Sequence, residues 1–150
     1  MIEPGNDVLD GTCHCGTIRF RVRLKGGLTS ARRCNCSYCA MRGAIALSAS
    51  VDDLDVIAGQ EQLGTYQFNT GIARHHFCSV CGIYTHHRRR SNPSEYGVNA
   101  ACLGISPFDF VEVPVEDGVH HPSDTGQSRQ IGMLRFIPAS EDGKDANPAS

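Results

Sequence analysis

Apolar and polar residues alternate along the segment that begins at residue 18. Ile18, Phe20, Val22 and Leu24 would point to one side, and the arginines between them would point to the other. A period of two residues is typical of a half-buried β-strand. The pattern therefore predicts a strand here, which ends at the glycine pair 26–27.

Further short apolar runs follow, separated by turn-forming residues. They span residues 44–49, 54–58, 64–68, 72–77, 83–87, 96–101, 110–115 and 131–136. Between the first two, Ser50 has the position of an N-cap and Asp53 that of a capping-box residue, so residues 50–54 are predicted to form one helical turn. Many short strands joined by turns predict an all-β protein.

The chain has the length of a single domain. With 150 residues it can bury about 68–70% of the surface that the unfolded chain exposes. From Pro138 onward it consists of small and polar residues without an apolar anchor. We therefore expect one domain over residues 1–137 and a disordered tail over residues 138–150.

Seven of the eight cysteines fall into three tight clusters. They are Cys13 and Cys15, then Cys34, Cys36 and Cys39, and finally Cys78 and Cys81. Cysteines separated by one or two other residues can bind one tetrahedral metal ion, as they do in zinc knuckles.

Disulfides are the alternative interpretation of an even number of cysteines. The first residues lack the basic start and apolar run of a secretion signal, and no stretch approaches the roughly 18 apolar residues of a membrane span. We therefore expect a cytoplasmic protein without a membrane partner. In that compartment clustered thiols bind metal more often than they form disulfides.

Glycines favour one pairing of the clusters. Gly16 and Gly82 each follow the second thiol of a two-cysteine cluster, where a knuckle often needs a positive φ or a close backbone approach, whereas Ala40 follows the middle cluster. The two-cysteine clusters are therefore predicted to share one closed, structural zinc ion, bound by Cys13, Cys15, Cys78 and Cys81. The middle cluster is predicted to hold a second zinc ion with an open fourth position, bound by Cys34, Cys36 and Cys39.

Three thiolates would give the second zinc site a formal charge of about −1, so it should activate water weakly. Its open position should instead take another soft donor, such as a substrate thiol. The alternative is a fourth protein ligand, from Cys102 or from the histidine pairs 75–76, 86–87 and 120–121. Because adjacent residues of a strand face opposite sides, one member of each pair is expected to face solvent. Cys102 itself is typical of a buried small apolar residue.

Arginines flank the middle cluster. Arg32 and Arg33 precede it and Arg42 follows it, so their guanidinium groups are candidates to hold substrate carboxylates through bidentate hydrogen bonds. The arginine run 88–90 is more typical of a solvated loop or strand end. The formal net charge of −2 argues against nucleic acid as a partner.

The three cysteine motifs, taken in order, resemble those of the glutathione-dependent formaldehyde-activating enzyme family, which also includes centromere protein V-like proteins. The resemblance covers residues 11–20, 34–39, 77–82 and 96–103. It implies an all-β fold called a β-tent, with one four-cysteine structural zinc and one three-cysteine zinc. The chain departs from the family at Asn35, where many members have histidine, and at Ala40 and Met41, where basic residues are common.

The resemblance also implies an enzymatic activity. A carbon–sulfur lyase or synthase would join formaldehyde to glutathione, or reverse that reaction, with Cys34, Cys36 and Cys39 as the catalytic residues. The other class of function is a binding module without turnover, either a glutathione carrier or a centromere protein V-like partner of chromatin or protein. A chromatin role favours a basic extension, whereas residues 142–145 lean acidic.

Overall fold

The computed structural model describes residues 7–140. Strands dominate this part of the chain: β1 (Val8–Thr12), β2 (Arg19–Arg23), β3 (Arg33–Cys34), β4 (Ala46–Ser50), β5 (Leu54–Ala58), β6 (Leu63–Tyr66), β7 (Arg74–Cys78), β8 (Tyr84–Arg88), β9 (Glu95–Asn99), β10 (Glu112–Glu116) and β11 (Gln130–Arg135). Between residues 7 and 140 the α-helices are α1 (Ser37–Arg42) and α2 (Pro122–Thr125). The all-β prediction is confirmed.

The strands form three sheets. The first sheet has the order β1-β2-β5, the central sheet has the order β4-β9-β8-β7-β6, and the third sheet has the order β11-β10-β3. Strand pairs are antiparallel, except that β10 and β3 run parallel. The parallel pair brings Cys34 beside Glu116, so the middle cysteine cluster lies against a segment far from it in sequence.

Strand β2 shows the predicted alternation. Phe20 and Val22 are buried, while the arginines at positions 19, 21 and 23 are exposed. Phe20 and Val22 pack into one apolar cluster with Leu47 from β4 and Val98 from β9. Val113 from β10 joins the same cluster, so the core lies where the three sheets meet.

The predicted strands all overlap observed ones, and β5 matches the predicted range 54–58. The predicted helical turn is a 3-10 turn at Val51–Asp53. Its cap is Ser50, as predicted, but the Ser50 hydroxyl accepts from the backbone N–H of Asp52 at 3.3 Å. Such a short turn has no place for a full capping box.

The elements that the pattern missed have no alternation of their own. Strand β1 contains Asp10 and Gly11, and a Cβ at Gly11 would collide with the ring of Phe20. Helix α1 is a six-residue segment, which is too short to display an amphipathic period. Its start is set by Cys36, whose thiol accepts from the backbone N–H of Cys39.

The predicted domain limits remain a prediction. Residues 1–6 and 141–150, which include most of the expected tail, lie outside the described residues. Residues 138–140 are exposed. Among residues 7–140, no helix has the length and apolarity that crossing a bilayer would require.

Leu47 provides a test of the core. Its side chain is 0% exposed, so Leu47→Ala should lower the free energy of unfolding by about 2–5 kcal/mol, because the substitution leaves a cavity. Val111 is 78% exposed, and Val111→Ala should change the same quantity by less than about 0.5 kcal/mol. Urea unfolding at fixed metal loading measures both, and equal losses would contradict the core position of Leu47.

Candidate metal centres and the adjoining cavity

Two cysteine clusters can each hold a metal ion. In the first, the four thiols of Cys13, Cys15, Cys78 and Cys81 lie within 4.8 Å of one another. The Sγ atom of Cys15 is 3.7 Å from that of Cys13 and 3.8 Å from that of Cys78. The structure therefore brings together the four residues that were predicted to share one metal ion.

The two halves of this four-thiol cluster are built alike. Cys13 N–H donates to the carbonyl of Ile18 at 3.1 Å, and Cys78 N–H donates to the carbonyl of Ile83 at 2.9 Å. Each bond closes a turn between two antiparallel strands, β1–β2 in one half and β7–β8 in the other. The cluster therefore links the first sheet to the central sheet.

The glycines behind these turns adopt a left-handed conformation. Gly16 has φ 82° and Gly82 has φ 81°. A Cβ at either position would contact nothing within 4 Å, so the positive φ, and not a close approach, explains the requirement for glycine. Ala40 is compatible with the middle cluster because that cluster continues directly into helix α1.

The four-thiol cluster is partly closed off from solvent. Cys13 and Cys78 are buried and pack with Ile18. Burial raises the pKa of Cys78 to about 11, whereas hydrogen bonds from backbone N–H groups, chiefly that of Cys15, lower the pKa of Cys81 to about 6. A thiol held protonated by burial loses its proton when a cation binds, so metal binding here is coupled to proton release.

The second cluster gathers the thiols of Cys34, Cys36 and Cys39, which lie within 4.8 Å of one another. Cys34 ends β3, Cys36 caps helix α1, and Cys39 lies in its first turn. Backbone N–H groups donate to two of the sulfurs, from Cys36 to Cys34 Sγ and from Cys39 to Cys36 Sγ, both at 3.4 Å. The hydrogen bond from the Cys34 thiol is the main cause that lowers the pKa of Cys36 to about 2, and both neighbouring thiols raise the pKa of Cys39.

Within residues 7–140, no fourth Cys, His, Asp or Glu ligand atom joins this three-thiol cluster. Cys102 is buried in the core, where its thiol contacts the carbonyl of Tyr84 at 3.4 Å and burial raises its pKa to about 12. Nδ1 of His121 accepts from the backbone N–H of Ser123 at 3.0 Å and caps helix α2. The described residues therefore give no support to a closed second site.

A loop over residues 117–121 covers one side of the three-thiol cluster. The Asn35 side-chain carbonyl accepts from the backbone N–H groups of Gly118 at 2.7 Å and Val119 at 3.1 Å. Gly118 packs so closely that a Cβ there would collide with Cys34 Sγ. Asn35 thus fixes this loop against the cluster.

Asp117 stabilises the start of the same loop. Its carboxylate accepts from the backbone N–H of His120 at 3.0 Å and from Arg129 at 2.9 Å. These bonds, chiefly that from the His120 backbone, lower the pKa of Asp117 to about 2. The backbone of residues 118–120 is therefore held by Asn35 and by an ionised carboxylate.

Arg42 lies beside the three-thiol cluster and is largely buried. It donates from Nη2 to Cys39 Sγ at 3.3 Å and shares a hydrogen bond between Nη1 and His75 Nδ1 at 2.9 Å. Its guanidinium carbon lies 3.7 Å from the centre of the Tyr84 ring. A cation in this place stabilises negative charge on the thiols.

A cavity of about 520 Å³ opens beside the three-thiol cluster. The three thiol residues line it, and so do Arg32, Arg33 and Arg42, which flank the cluster in sequence. The four-thiol cluster does not border this cavity. One cluster thus faces a space that can receive a small molecule, and the other does not.

The histidine pairs divide between two faces of the central sheet. His75 and His87 line the cavity, with ring centroids 5.1 Å apart, while His76 and His86 form a second stack on the opposite face at 4.6 Å. The prediction that adjacent histidines point to opposite sides is confirmed for the pairs 75–76 and 86–87, whereas His120 and His121 do not lie in a strand. The expectation that the outward members face solvent is wrong for His86, which is buried against Phe20.

The arginine run 88–90 also differs from expectation. Arg89 is only 4% exposed and lines the cavity, so the run is not a solvated strand end. Arg89 lies two residues after His87, and the period of a strand places both on the cavity side. The two-residue period was therefore the sequence signal that Arg89 faces the cavity. It could be used only with the knowledge that His87 faces the cavity too.

All eight cysteines have free thiols. The structure therefore agrees with the metal-binding interpretation of the clusters and not with the disulfide alternative. Both donor sets consist of thiols only, which is consistent with zinc.

Comparison with known proteins adds an independent result. A family model described as glutathione-dependent formaldehyde-activating enzyme matches residues 8–109. A Halomonas elongata protein, whose name assigns it provisionally to these enzymes, is 39% identical over an alignment of 83 residues. The match covers 49% of this chain and 52% of that protein. The chain thus spans about half the length of this curated relative.

The chain is also similar to a solved structure. A crystal structure of a Rhodobacter sphaeroides protein matches with a TM-score of 0.70 and 56% sequence identity. The match covers 71% of this chain and 99% of that chain.

Gly118 tests the contact between the loop and the three-thiol cluster. Gly118→Ala should displace Cys34 and weaken metal binding at this cluster alone, because a Cβ there collides with its sulfur. Gly132→Ala is the matched control, since a Cβ at Gly132 meets nothing within 4 Å. Cobalt substitution, followed through the thiolate-to-cobalt charge-transfer band, measures the sites. Equal cobalt binding by the two variants would contradict the packing of Gly118 on Cys34.

Proposed function

The chain belongs to the glutathione-dependent formaldehyde-activating enzyme family, and we propose that its three-thiol cluster performs carbon–sulfur chemistry on a small thiol and a small carbonyl compound. Glutathione, or a related thiol, would combine with formaldehyde or a similar carbonyl, or the adduct would be split. The protein would thus be a carbon–sulfur lyase or synthase.

One observation carries this proposal: three thiols face a cavity of about 520 Å³ and have no fourth ligand among the described residues. A closed site of four ligands is structural, whereas an open position accepts a substrate. The cavity also has a cationic wall, which suits a thiol that carries carboxylates.

Both donor sets fit zinc, because thiolates are soft ligands that zinc binds in tetrahedral sites. We propose a structural zinc at Cys13, Cys15, Cys78 and Cys81 and a second zinc at Cys34, Cys36 and Cys39. When bound to the second set, zinc would supply a Lewis acid and an open position that lower the pKa of a substrate thiol.

The reaction balances without a further reactant. The sulfur of the substrate thiolate attacks the carbonyl carbon, so a C–S bond forms and the π electron pair of C=O moves to oxygen. The proton released by the thiol ends on that oxygen, which gives S-hydroxymethylglutathione from glutathione and formaldehyde. The reverse reaction breaks the same C–S bond and returns the proton to sulfur.

The residues of the chain position the reactants. Arg42 donates to Cys39 Sγ and would stabilise a thiolate there once a metal ion is bound. Arg32 and Arg33 line the cavity and would attract the substrate carboxylates. Holding both reactants in one geometry is a large part of such catalysis. Because the site requires reduced thiols, a reducing compartment such as the cytoplasm suits it.

Metal content tests the two-site assignment. We expect about two zinc ions per chain in the purified protein, because two complete thiol sets are present. Cys34→Ser should retain about one zinc ion and a folded chain, whereas Cys78→Ser should lose the structural site and unfold. Elemental analysis with circular dichroism measures both. A single zinc ion in the wild-type protein would contradict the second site.

Binding and turnover test the activity. Glutathione should bind to zinc-loaded wild-type protein in isothermal titration, and Cys34→Ser should bind it far more weakly. S-Hydroxymethylglutathione should form from glutathione and formaldehyde faster than the spontaneous rate. Binding without acceleration would identify a glutathione carrier, which would use the same site. Absence of binding, with Cys34→Ser equal to wild type, would exclude both functions.

A further inference from the structure

The buried polar atoms that lack partners are concentrated around one space. Among residues 7–140, the buried side-chain nitrogens without a hydrogen-bond partner belong to Arg42, His75, Arg89 and Arg90. All four residues line the cavity beside the three-thiol cluster. Buried polar groups are normally paired, so unpaired donors around one cavity indicate a ligand that would pair them.

Arg89 has the most specific arrangement. Its side chain is 4% exposed, and Nη1 donates to Ser48 Oγ at 2.9 Å and to Glu95 Oε1 at 3.1 Å. Nε and Nη2 have no partner. These two nitrogens form one edge of the planar guanidinium group, which is an edge that a carboxylate binds through two parallel hydrogen bonds.

The charges around Arg89 also favour an anion. Arg89 shares the Glu95 carboxylate with Lys25, whose Nζ lies 2.6 Å from the second oxygen of Glu95. The nearby positive charge of Arg32 helps to lower the pKa of Arg89, although burial is the larger cause. Within residues 7–140, neither Arg32 nor Arg33 forms an ion pair, whereas Arg90 is paired with Asp124. Unpaired positive charge therefore remains on this part of the cavity wall.

We propose that the free Nε–Nη2 edge of Arg89 is a carboxylate subsite that binds the anionic end of the thiol substrate, with Arg32 beside it. This inference rests on the proposed function, and it adds the recognition element that selects the thiol. The carboxylate has no ammonium group next to it, because the neighbouring guanidinium groups would repel a second cation. In glutathione that group is the carboxylate of the glycine residue.

The experiment compares two ligands on three zinc-loaded proteins. Glutathione and its monoethyl ester at the glycine carboxylate are titrated into wild type, Arg89→Lys and Arg88→Lys. Arg89→Lys keeps a cation for Glu95 but loses the planar edge. Arg88→Lys is the matched control, since Arg88 precedes Arg89 and does not line the cavity.

For wild type we expect the ester to bind about 10- to 100-fold more weakly than glutathione, which is the usual effect of losing a hydrogen-bonded charge. The same loss of affinity for the ester is expected for Arg88→Lys. In Arg89→Lys the difference in affinity between glutathione and the ester should fall to a few-fold, because the partner of the carboxylate is gone. The NMR resonance of the Arg89 Nε–H group in wild type should also shift with glutathione and not with the ester.

The outcomes separate this inference from the function on which it rests. If glutathione does not bind to the wild type, both are overturned. If glutathione binds and the ester binds equally well, the subsite alone is overturned. If folded Arg89→Lys still binds the ester about 10- to 100-fold more weakly than glutathione, the subsite is also overturned. If that variant does not fold, the Nε–H resonance of the wild type decides, and an unchanged resonance overturns the subsite.

Discussion

The contact of four thiols from two distant turns is the constraint on which the rest of the structure depends. Cys15 and Cys78 are 63 residues apart, yet their sulfurs lie 3.8 Å from each other. Four thiols so close together can all ionise only around a cation, because like charges otherwise raise their pKa values. Since one turn belongs to the first sheet and the other to the central sheet, the same contact holds together the sheets that enclose Phe20 and Leu47.

Both cysteine clusters consist of thiols, but their surroundings differ. The backbone that follows each cluster determines whether the thiols face a cavity. Gly16 and Gly82 turn the chain sharply, so the four thiols meet between sheets and have no cavity beside them. The middle cluster runs into helix α1, and its other side is covered by a loop that Asn35 holds. This arrangement leaves one direction free, toward the cavity. Local chain geometry therefore leaves the three-thiol cluster with one side facing the cavity.

Sequence patterns predicted what depends on neighbours along the chain. Alternation located β2, short apolar runs located the other predicted strands, and the glycines after Cys15 and Cys81 indicated the grouping of thiols that the structure brings together. Contacts that depend on the pairing of strands distant in sequence could not be predicted from these patterns. The parallel pairing of β10 with β3 brings Gly118 against Cys34, and no local pattern records that pairing. The burial of Arg89 was missed for the same reason, since an arginine run alone is more often exposed.

The cavity wall carries its positive charge on guanidinium groups, and among residues 7–140 no lysine lines it. Attraction of carboxylates alone would not require this choice. A lysine amine, however, is a nucleophile that condenses with aldehydes to form imines. Guanidinium groups stay protonated at neutral pH and do not react in this way. If the proposed aldehyde enters this cavity, it therefore meets no side-chain amine among the described residues with which it could form an imine.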